Sequence, residues 1–246
     1  HKPVAIHWQK PNGKQNIQMK FNFKENYILE NEHIRLRPLE QTDFDNLLEY
    51  STNEPELWRY NSGGANGSEN LENYIKNALQ QREDENEYPF IVFDKIKNKY
   101  VGSTRFYAFR SPNNIVDIGY TWYGKESQGN GTNKNCKLLM LEFAFEQIQL
   151  ERVGFAASNL NERSKNAMKS IGCKVDGILR SHSFDNYGNR IDVILLSILR
   201  NEWFANVKED LKSKIAKYPQ ISEWLNWHKN KHLKNNEMAT PYIIYC

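Results

Sequence analysis

Apolar side chains recur along this chain with two periods, and the switches between them divide it into elements. In "HIRLRPLE" (33–40), Ile34, Leu36 and Leu39 are spaced by polar residues as in a half-buried strand. Thr42 is placed to cap "DFDNLLEYS", whose acids fall in the first turn of a helix. After the loop "NSGGANGS" (61–68), Ser68 or Asn70 opens a second helix. Its apolar positions Leu71, Tyr74, Ile75, Ala78 and Leu79 follow the helical i, i+3, i+4, i+7, i+8 pattern. Three strand-like runs come next, over 88–94, 100–109 and 116–123, joined by the turn-like links "KIKNK" and "RSPNN". A helix over about 134–149 and a strand over 152–158 lead to the helix "ERSKNAMKSI", which stops at Gly172 as a C-cap. Two last strands, "KVDGILRSHSF" and "RIDVILLSIL", flank the hairpin signal "DNYGN". The helix "NEWFANVKEDLKSKIAKY" then runs up to Pro219, with a further helical turn around 224–227.

The order β-α-α-β-β-β-α-β-α-β-β predicts an α+β domain. Hairpin-connected strands come first and a strand–helix–strand crossover second, which gives a mixed, mostly antiparallel twisted sheet with helices on both faces. The expected divisions are a polar irregular leader over 1–27, a catalytic-sized domain over 28–207 and a basic C-terminal helix and tail over 208–246.

Composition narrows the class. Hydrophobic residues make up 39% of the chain and aromatics 13%, enough for a sizeable core, which sets aside a wholly disordered chain. No apolar run reaches the roughly 18 residues of a membrane span, and the opening "HKPVAIHWQKPNGKQ" lacks the apolar core of a secretory signal. No membrane partner is expected. Cys136, Cys173 and Cys246 are scattered and form no C-x-x-C pair, which argues against a zinc site or a disulfide framework. The expectation is a reducing, cytoplasmic setting and no metal.

The net charge of +3 belongs to the flanks. Residues 1–30 hold five basic and two acidic side chains, residues 205–246 seven and four, and residues 31–204 hold 21 and 24. An acidic middle argues against a nucleic-acid groove in the main domain. RNA docking is left to the tail segment "ISEWLNWHKNKHLK", which reads more simply as a solvated helix face. The tail could also support a homodimer.

The chemistry starts at "ESQGNGTNKNCKLLMLEFAFE" (126–146), where Gly129 and Gly131 directly precede an amphipathic helix pattern. Glycines let the backbone approach a ligand, and a helix start offers amides without partners, so the stretch suits phosphate or another anion. A P-loop requires G-x-x-x-x-G-K-[ST], a spacing absent here. A dinucleotide fingerprint requires a third glycine where Lys134 stands and belongs near the front of a parallel βαβ array. Both fail.

A third explanation is coenzyme A, and it rests on a resemblance. "IGYTWYGKESQGNGTNKNCKLLMLEFAFE" resembles the strand, pyrophosphate loop and helix of the GNAT superfamily of N-acetyltransferases, close to the branch of ribosomal-protein N-terminal acetyltransferases (Rim type). "NLNERSKNAMKSIGCKVDGILRSH" resembles that branch's next helix and strand, and "PFIVFD…VGSTRF" its preceding hairpin. The resemblance spans about 170 residues, from Ile34 to Trp203, in the right order. Superfamily loops usually follow Q/R-x-x-G-x-G/A; here the loop runs Gln128-Gly129-Asn130-Gly131-Thr132-Asn133.

The resemblance implies an acyl-CoA N-acyltransferase fold that uses acetyl-CoA as cosubstrate. The pyrophosphate would lie against amides of Gln128, Gly129, Asn130, Gly131, Thr132 and Asn133. The pantetheine arm would pair like an extra strand with Tyr120, Thr121 and Trp122, whose backbone groups a diverging sheet leaves free. Asn159 and Asn161 would contact coenzyme or acceptor, or serve as turn and capping residues. Lys134 and Lys137 either add charge near the phosphates or are solvated.

Acetyl transfer to an amine needs an uncharged amine, a polarised thioester carbonyl and a proton for the thiolate. Ser164 matches a serine that donates to the leaving sulfur in Rim-type relatives, and is otherwise a helix-start residue. His182, in "SHS", stands where some relatives carry a glutamate base and titrates near neutrality. Glu54 and Glu56 could instead face the amine, though both read more simply as loop carboxylates. Cys136, in a helix first turn, is a rival nucleophile for a ping-pong route; a small buried residue fits there too. The expected function is direct transfer of acetyl from acetyl-CoA to a primary amine, on a protein N-terminus or a small molecule. The alternative is a non-catalytic acyl-CoA sensor or scaffold of the same fold.

Overall fold

A computed structural model describes residues 20–60, 64–185 and 188–218. The expectations for 1–19, for the middle of the "DNYGN" turn, for the helical turn near 224–227 and for Cys246 lie outside the described residues. The elements are β1 (Leu29–Glu30), β2 (Ile34–Pro38), α1 (Phe44–Asn53), α2 (Ser68–Glu83), β3 (Tyr88–Asp94), β4 (Lys99–Arg110), β5 (Ile115–Tyr123), α3 (Thr132–Glu142), β6 (Arg152–Ser158), α4 (Glu162–Ser170), β7 (Lys174–Phe184), β8 (Arg190–Leu199), α5 (Arg200–Glu202) and α6 (Lys208–Ile215). The order is the one the apolar periods predict, with the two-residue β1 added.

The strands form one eight-stranded sheet in the order β1-β2-β3-β4-β5-β6-β8-β7. Every neighbouring pair is antiparallel except β5 and β6, between which α3 carries the chain back across the sheet. The two-residue period separates two cores. Ile34, Leu36, Tyr88, Phe90, Val92, Val116 and Ile118 join the cluster that packs with α3 and α6. Leu39, Ile91 and Trp122 join the cluster under α1 and α2. Helices therefore cover both faces, in an α+β fold.

Helix ends depart from the sequence expectation in three places. Thr42 lies inside a short 3-10 turn over Gln41–Asp43, and the reciprocal cap is made by Glu40 and Asp43 instead. Asp43 is fully buried and receives Arg37 Nη2 at 2.6 Å and the Glu40 amide at 2.8 Å, which satisfies a carboxylate that Thr42 could not replace. The helix predicted to reach 149 is α-helical only to Glu142, then widens to a π turn over Phe143–Gln147. A second π turn, Trp203–Val207, joins α5 to α6.

The two π turns meet: Phe145 stacks on Trp203 at 5.6 Å, and Glu146 accepts from Trp203 Nε1 at 2.9 Å and Lys208 Nζ at 2.8 Å. Residues 208–215, assigned by the sequence to the C-terminal extension, are thereby docked on the α3 side, with Leu211 1% exposed. Residues 20–27, assigned to the leader, are irregular and join the core. Phe21 lies 5.2 Å from Tyr88 and 4.8 Å from Phe109, ring centre to ring centre, and Tyr27 lies 4.8 Å from Phe143.

Candidate active site

Strands β5 and β6 pair only at Ile115↔Arg152, Val116↔Val153 and Asp117↔Gly154. Beyond that point β5 runs on to Tyr123 and β6 to Ser158 with no ladder between them. Local geometry on β5 accompanies the split: the β4–β5 register shifts between Ser103 and Arg105, and Tyr120 opposite takes a left-handed φ of 49°, uncommon for a tyrosine. The gap is a cleft of about 300 Å³, walled by β5, β6 and α4 and closed at one end by the glycine loop.

The loop is a row of outward amides. Gly129 and Gly131 hold φ of 76° and 95°, the latter as the residue that starts α3. A side chain at Gly131 would be strained and would meet the Tyr218 ring at 2.9 Å. Asn130 Oδ1 receives the Thr132 amide at 3.2 Å and the Thr132 hydroxyl at 2.8 Å. Among the described residues, no protein group accepts from the amides of Gly129, Asn130, Gly131, Asn133 and Lys134. Five such donors beside a helix N-terminus favour an anion.

Most residues singled out in the sequence meet here. Tyr120, Thr121, Trp122, Gln128, Gly129, Asn133, Asn161 and Ser164 line the cleft, and Asn130, Gly131 and Thr132 complete the loop. Gln128 spans its mouth: Nε2 donates to the Tyr123 carbonyl at 2.8 Å, and Oε1 accepts from Arg163 Nη1 at 2.8 Å. The Trp122 indole turns into the α1/α2-side core and donates to Tyr74 Oη at 3.3 Å. Asn161 caps α4 by accepting from the Ser164 amide at 3.0 Å. The Ser164 hydroxyl has no protein partner among the described residues.

Other expected residues fall elsewhere. His182 is exposed on β7 and is not part of the cleft wall. Asn159 also lies off the wall, where its carbonyl accepts from Lys165 Nζ at 2.7 Å. Glu54 accepts from the Lys125 amide at 2.7 Å in a separate shallow groove, and Glu56 is exposed. Cys136 is fully buried, and burial pushes its thiol up to about 12. That disfavours a thiolate at neutral pH, and the burial agrees with the small buried residue that the sequence also allowed there. Among the described residues, no group of three or more His, Cys, Asp and Glu is placed to hold a metal.

The two lysines of α3 are placed differently. Lys134 donates to Tyr218 Oη at 3.1 Å, with its ammonium 5.3 Å from that ring's centre. Lys137 is neither solvated nor at the loop surface. It is 4% exposed and donates to Thr121 Oγ1 at 2.7 Å and Thr104 Oγ1 at 3.1 Å. Sequence reading missed its burial because a lysine on an amphipathic helix ordinarily faces water. It also missed Arg163, Leu57 and Tyr60 on the cleft wall, which carry no motif.

On the opposite face of β4, Arg105 is 1% exposed and paired to Glu87 at 2.7 Å. Its guanidinium lies 4.4 Å from the centres of both the Tyr74 and the Tyr120 rings. Arg105, which flanks the register shift, is thus tied to a carboxylate before any ligand arrives.

Comparison with known proteins agrees with this geometry. The family description "Acetyltransferase (GNAT) domain" matches residues 33–174. YdaF of Bacillus subtilis (strain 168), provisionally named as a ribosomal N-acetyltransferase, is 28% identical over 178 residues, 70% of this chain and 94% of the relative. A GCN5-related N-acetyltransferase from Brucella melitensis superposes with a TM-score of 0.73 at 21% identity, covering 82% of this chain and 96% of that one. The ribosomal-protein-S5-alanine acetyltransferase of Vibrio fischeri gives a TM-score of 0.59 at 21% identity, with 72% and 98% covered. The resemblance to the Rim-type branch agrees with these names, and the chain belongs to the GNAT family of acetyltransferases.

Proposed function

We propose that this chain transfers the acetyl group of acetyl-CoA directly to a primary amine within a ternary complex. The observation that supports it best is the opening of the β5–β6 ladder beside the five outward amides of the glycine loop. One end of the cleft suits a pyrophosphate, and the unpaired edge of β5 suits an extended amide-bearing arm. The coenzyme supplies an activated acyl thioester. Gln128 through Asn133 would hold its phosphates, and Tyr120 to Trp122 would align its arm by backbone bonds. Ser164, with its hydroxyl free and on the cleft wall, would give a proton to the departing sulfur.

For His182, exposure on β7 supports no direct part; the amine's proton would leave through solvent at the open end, near Tyr60 and Leu57. The names of relatives support a protein N-terminus as acceptor over a small amine. The buried, free thiols of Cys136 and Cys173 suit a cytoplasmic setting. Residues 20–27, the domain and the helix over 208–215 would then act as one catalytic body. Calorimetric titration with acetyl-CoA and with desulfo-CoA tests the site: micromolar binding of both is expected. Absence of heat with either sinks it. Binding without turnover on any amine or N-terminal peptide would instead favour an acyl-CoA sensor.

A further inference from the structure

Lys137 is a buried cation with no counter-charge. Among the described residues it makes no ion pair, and its amino group meets only the hydroxyls of Thr104 on β4 and Thr121 on β5. The neighbouring titratable groups are the buried thiols of Cys136 on α3 and Cys173 after α4. Tyr123 of β5 completes the surroundings, a buried phenol bonded to Asn133 at 3.3 Å. Burial pushes the Cys136 and Cys173 thiols and the Tyr123 hydroxyl upward, so all three are neutral.

The threonines do not need the lysine. Their hydroxyls already bond each other at 2.8 Å, and Thr121 reaches the Gly119 carbonyl at 3.3 Å. An ammonium carries three N–H donors, and two have partners. The side chain is at the same time part of the cleft wall, beside Thr121, Tyr123 and Asn133. A buried ammonium without a carboxylate is costly, and the cleft that Lys137 lines is a direction from which an acceptor can come.

We propose that Lys137 is a coenzyme-binding residue of the cleft, its amino group held by the Thr104–Thr121 pair and donating a charge-assisted hydrogen bond to an amide carbonyl of the pantetheine arm. This rests on the reading of the cleft as the acetyl-CoA site. An amide carbonyl fits because it is a neutral, strong acceptor that lies along the arm rather than at the phosphate end. Burial lowers the Lys137 ammonium to about 8 in the free protein, and a carbonyl partner favours the charged form. Binding therefore raises that value and takes up protons near pH 8, so affinity falls as pH rises from 8 toward the bound-state value.

The test is titration of the full chain with acetyl-CoA near pH 8, in two buffers of different ionisation enthalpy. Acetyl-CoA has no free thiol, and its phosphate titrates at about 6, so neither masks the signal. The wild-type chain is expected to take up a fraction of a proton on binding. Lys137→Met and Lys137→Gln should take up none, and Lys137→Met should bind about tenfold more weakly at pH 7. Thermal unfolding confirms that each variant is folded. If Lys137→Met fails to fold, Lys137→Gln and the wild-type buffer dependence decide. Tight wild-type binding with buffer-independent heat, or uptake retained in either variant, overturns the role of Lys137 alone. A wild-type chain that binds no acetyl-CoA overturns the coenzyme site itself, and this inference with it.

Discussion

Replacing Lys137 by methionine should stabilise the free protein. The side chain keeps its length, and both threonine hydroxyls keep each other as partners at 2.8 Å. What disappears is the cost of a charged group in a buried, carboxylate-free site. The ammonium titrates at about 8 when folded against 10.5 ordinarily; at about 1.4 kcal/mol per unit the gap sets a ceiling of about 3 kcal/mol. The sign follows from proton counting. Between pH 8 and 10.5 the unfolded chain binds more protons than the folded one, so wild-type stability rises with pH across that window. Below 8 both states are protonated and the full penalty is present. Urea unfolding followed by tryptophan fluorescence, at pH 7 and again near pH 10, measures the difference between variant and wild type. The variant should be more stable by up to about 3 kcal/mol at pH 7, and the difference should narrow at the higher pH. A variant less stable at pH 7, or a difference insensitive to pH, would falsify the desolvation argument.

The other buried cation should behave in the opposite way. Glu87→Ala leaves Arg105 enclosed without its 2.7 Å partner and should cost about 3–5 kcal/mol in the same assay; a loss under about 1 kcal/mol counts against the pairing as drawn. Ser164→Ala removes a hydroxyl with no protein partner, so stability should hold within about 0.5 kcal/mol. Turnover should fall about a hundredfold with acetyl-CoA affinity unchanged, and equal kcat values would leave Ser164 a helix-start residue only. Gly131→Ala forces a side chain into a left-handed position, 2.9 Å from Tyr218, and should cost about 1–2 kcal/mol in stability with weaker acetyl-CoA binding; unchanged affinity would argue that the loop does not hold the coenzyme. Cys136, with its thiol pushed up to about 12, should resist alkylation at pH 8 in the native protein and react in urea. Native-state labelling would restore it as a candidate nucleophile.

The fold was legible because its signals are local. Strand-like apolar runs and turn signals located β2 to β8 to within about two residues and passed over only the two-residue β1, and the paired glycines marked the loop that opens α3. Two kinds of feature were not legible. The π turns at Phe143–Gln147 and Trp203–Val207 depend on each other through Phe145, Trp203 and Glu146, a tertiary pairing with no local trace. The short leader segment at 20–27 reads as polar because its asparagines and lysines outnumber Phe21, Phe23 and Tyr27. Those three rings nonetheless find Tyr88, Phe109 and Phe143. At the site, the glycine spacing marked the loop, and the family resemblance pointed to Tyr120, Thr121 and Trp122 on β5, which line the cleft. It misplaced His182, since a residue after a strand bulge cannot be aimed from sequence, and Ser181 next to it takes a φ of 52°. It also named Lys137 without its burial, which follows from where Thr104 and Thr121 lie on the sheet.

Arg105 and Lys137 reach the central strands from opposite faces, and their surroundings separate a structural cation from a ligand-seeking one. Arg105 has a carboxylate at 2.7 Å and two aromatic rings against its guanidinium. Its charge is answered by groups of the fold, and removing that answer destabilises the chain. Lys137 has hydroxyls that are content without it and an open side toward the cleft. Its charge is answered only when something enters, so removing it helps the empty protein and harms the filled one. Measured on the same variant, greater stability together with weaker acetyl-CoA binding is a pair of signs that a packing role cannot produce, because a packing residue loses both or neither.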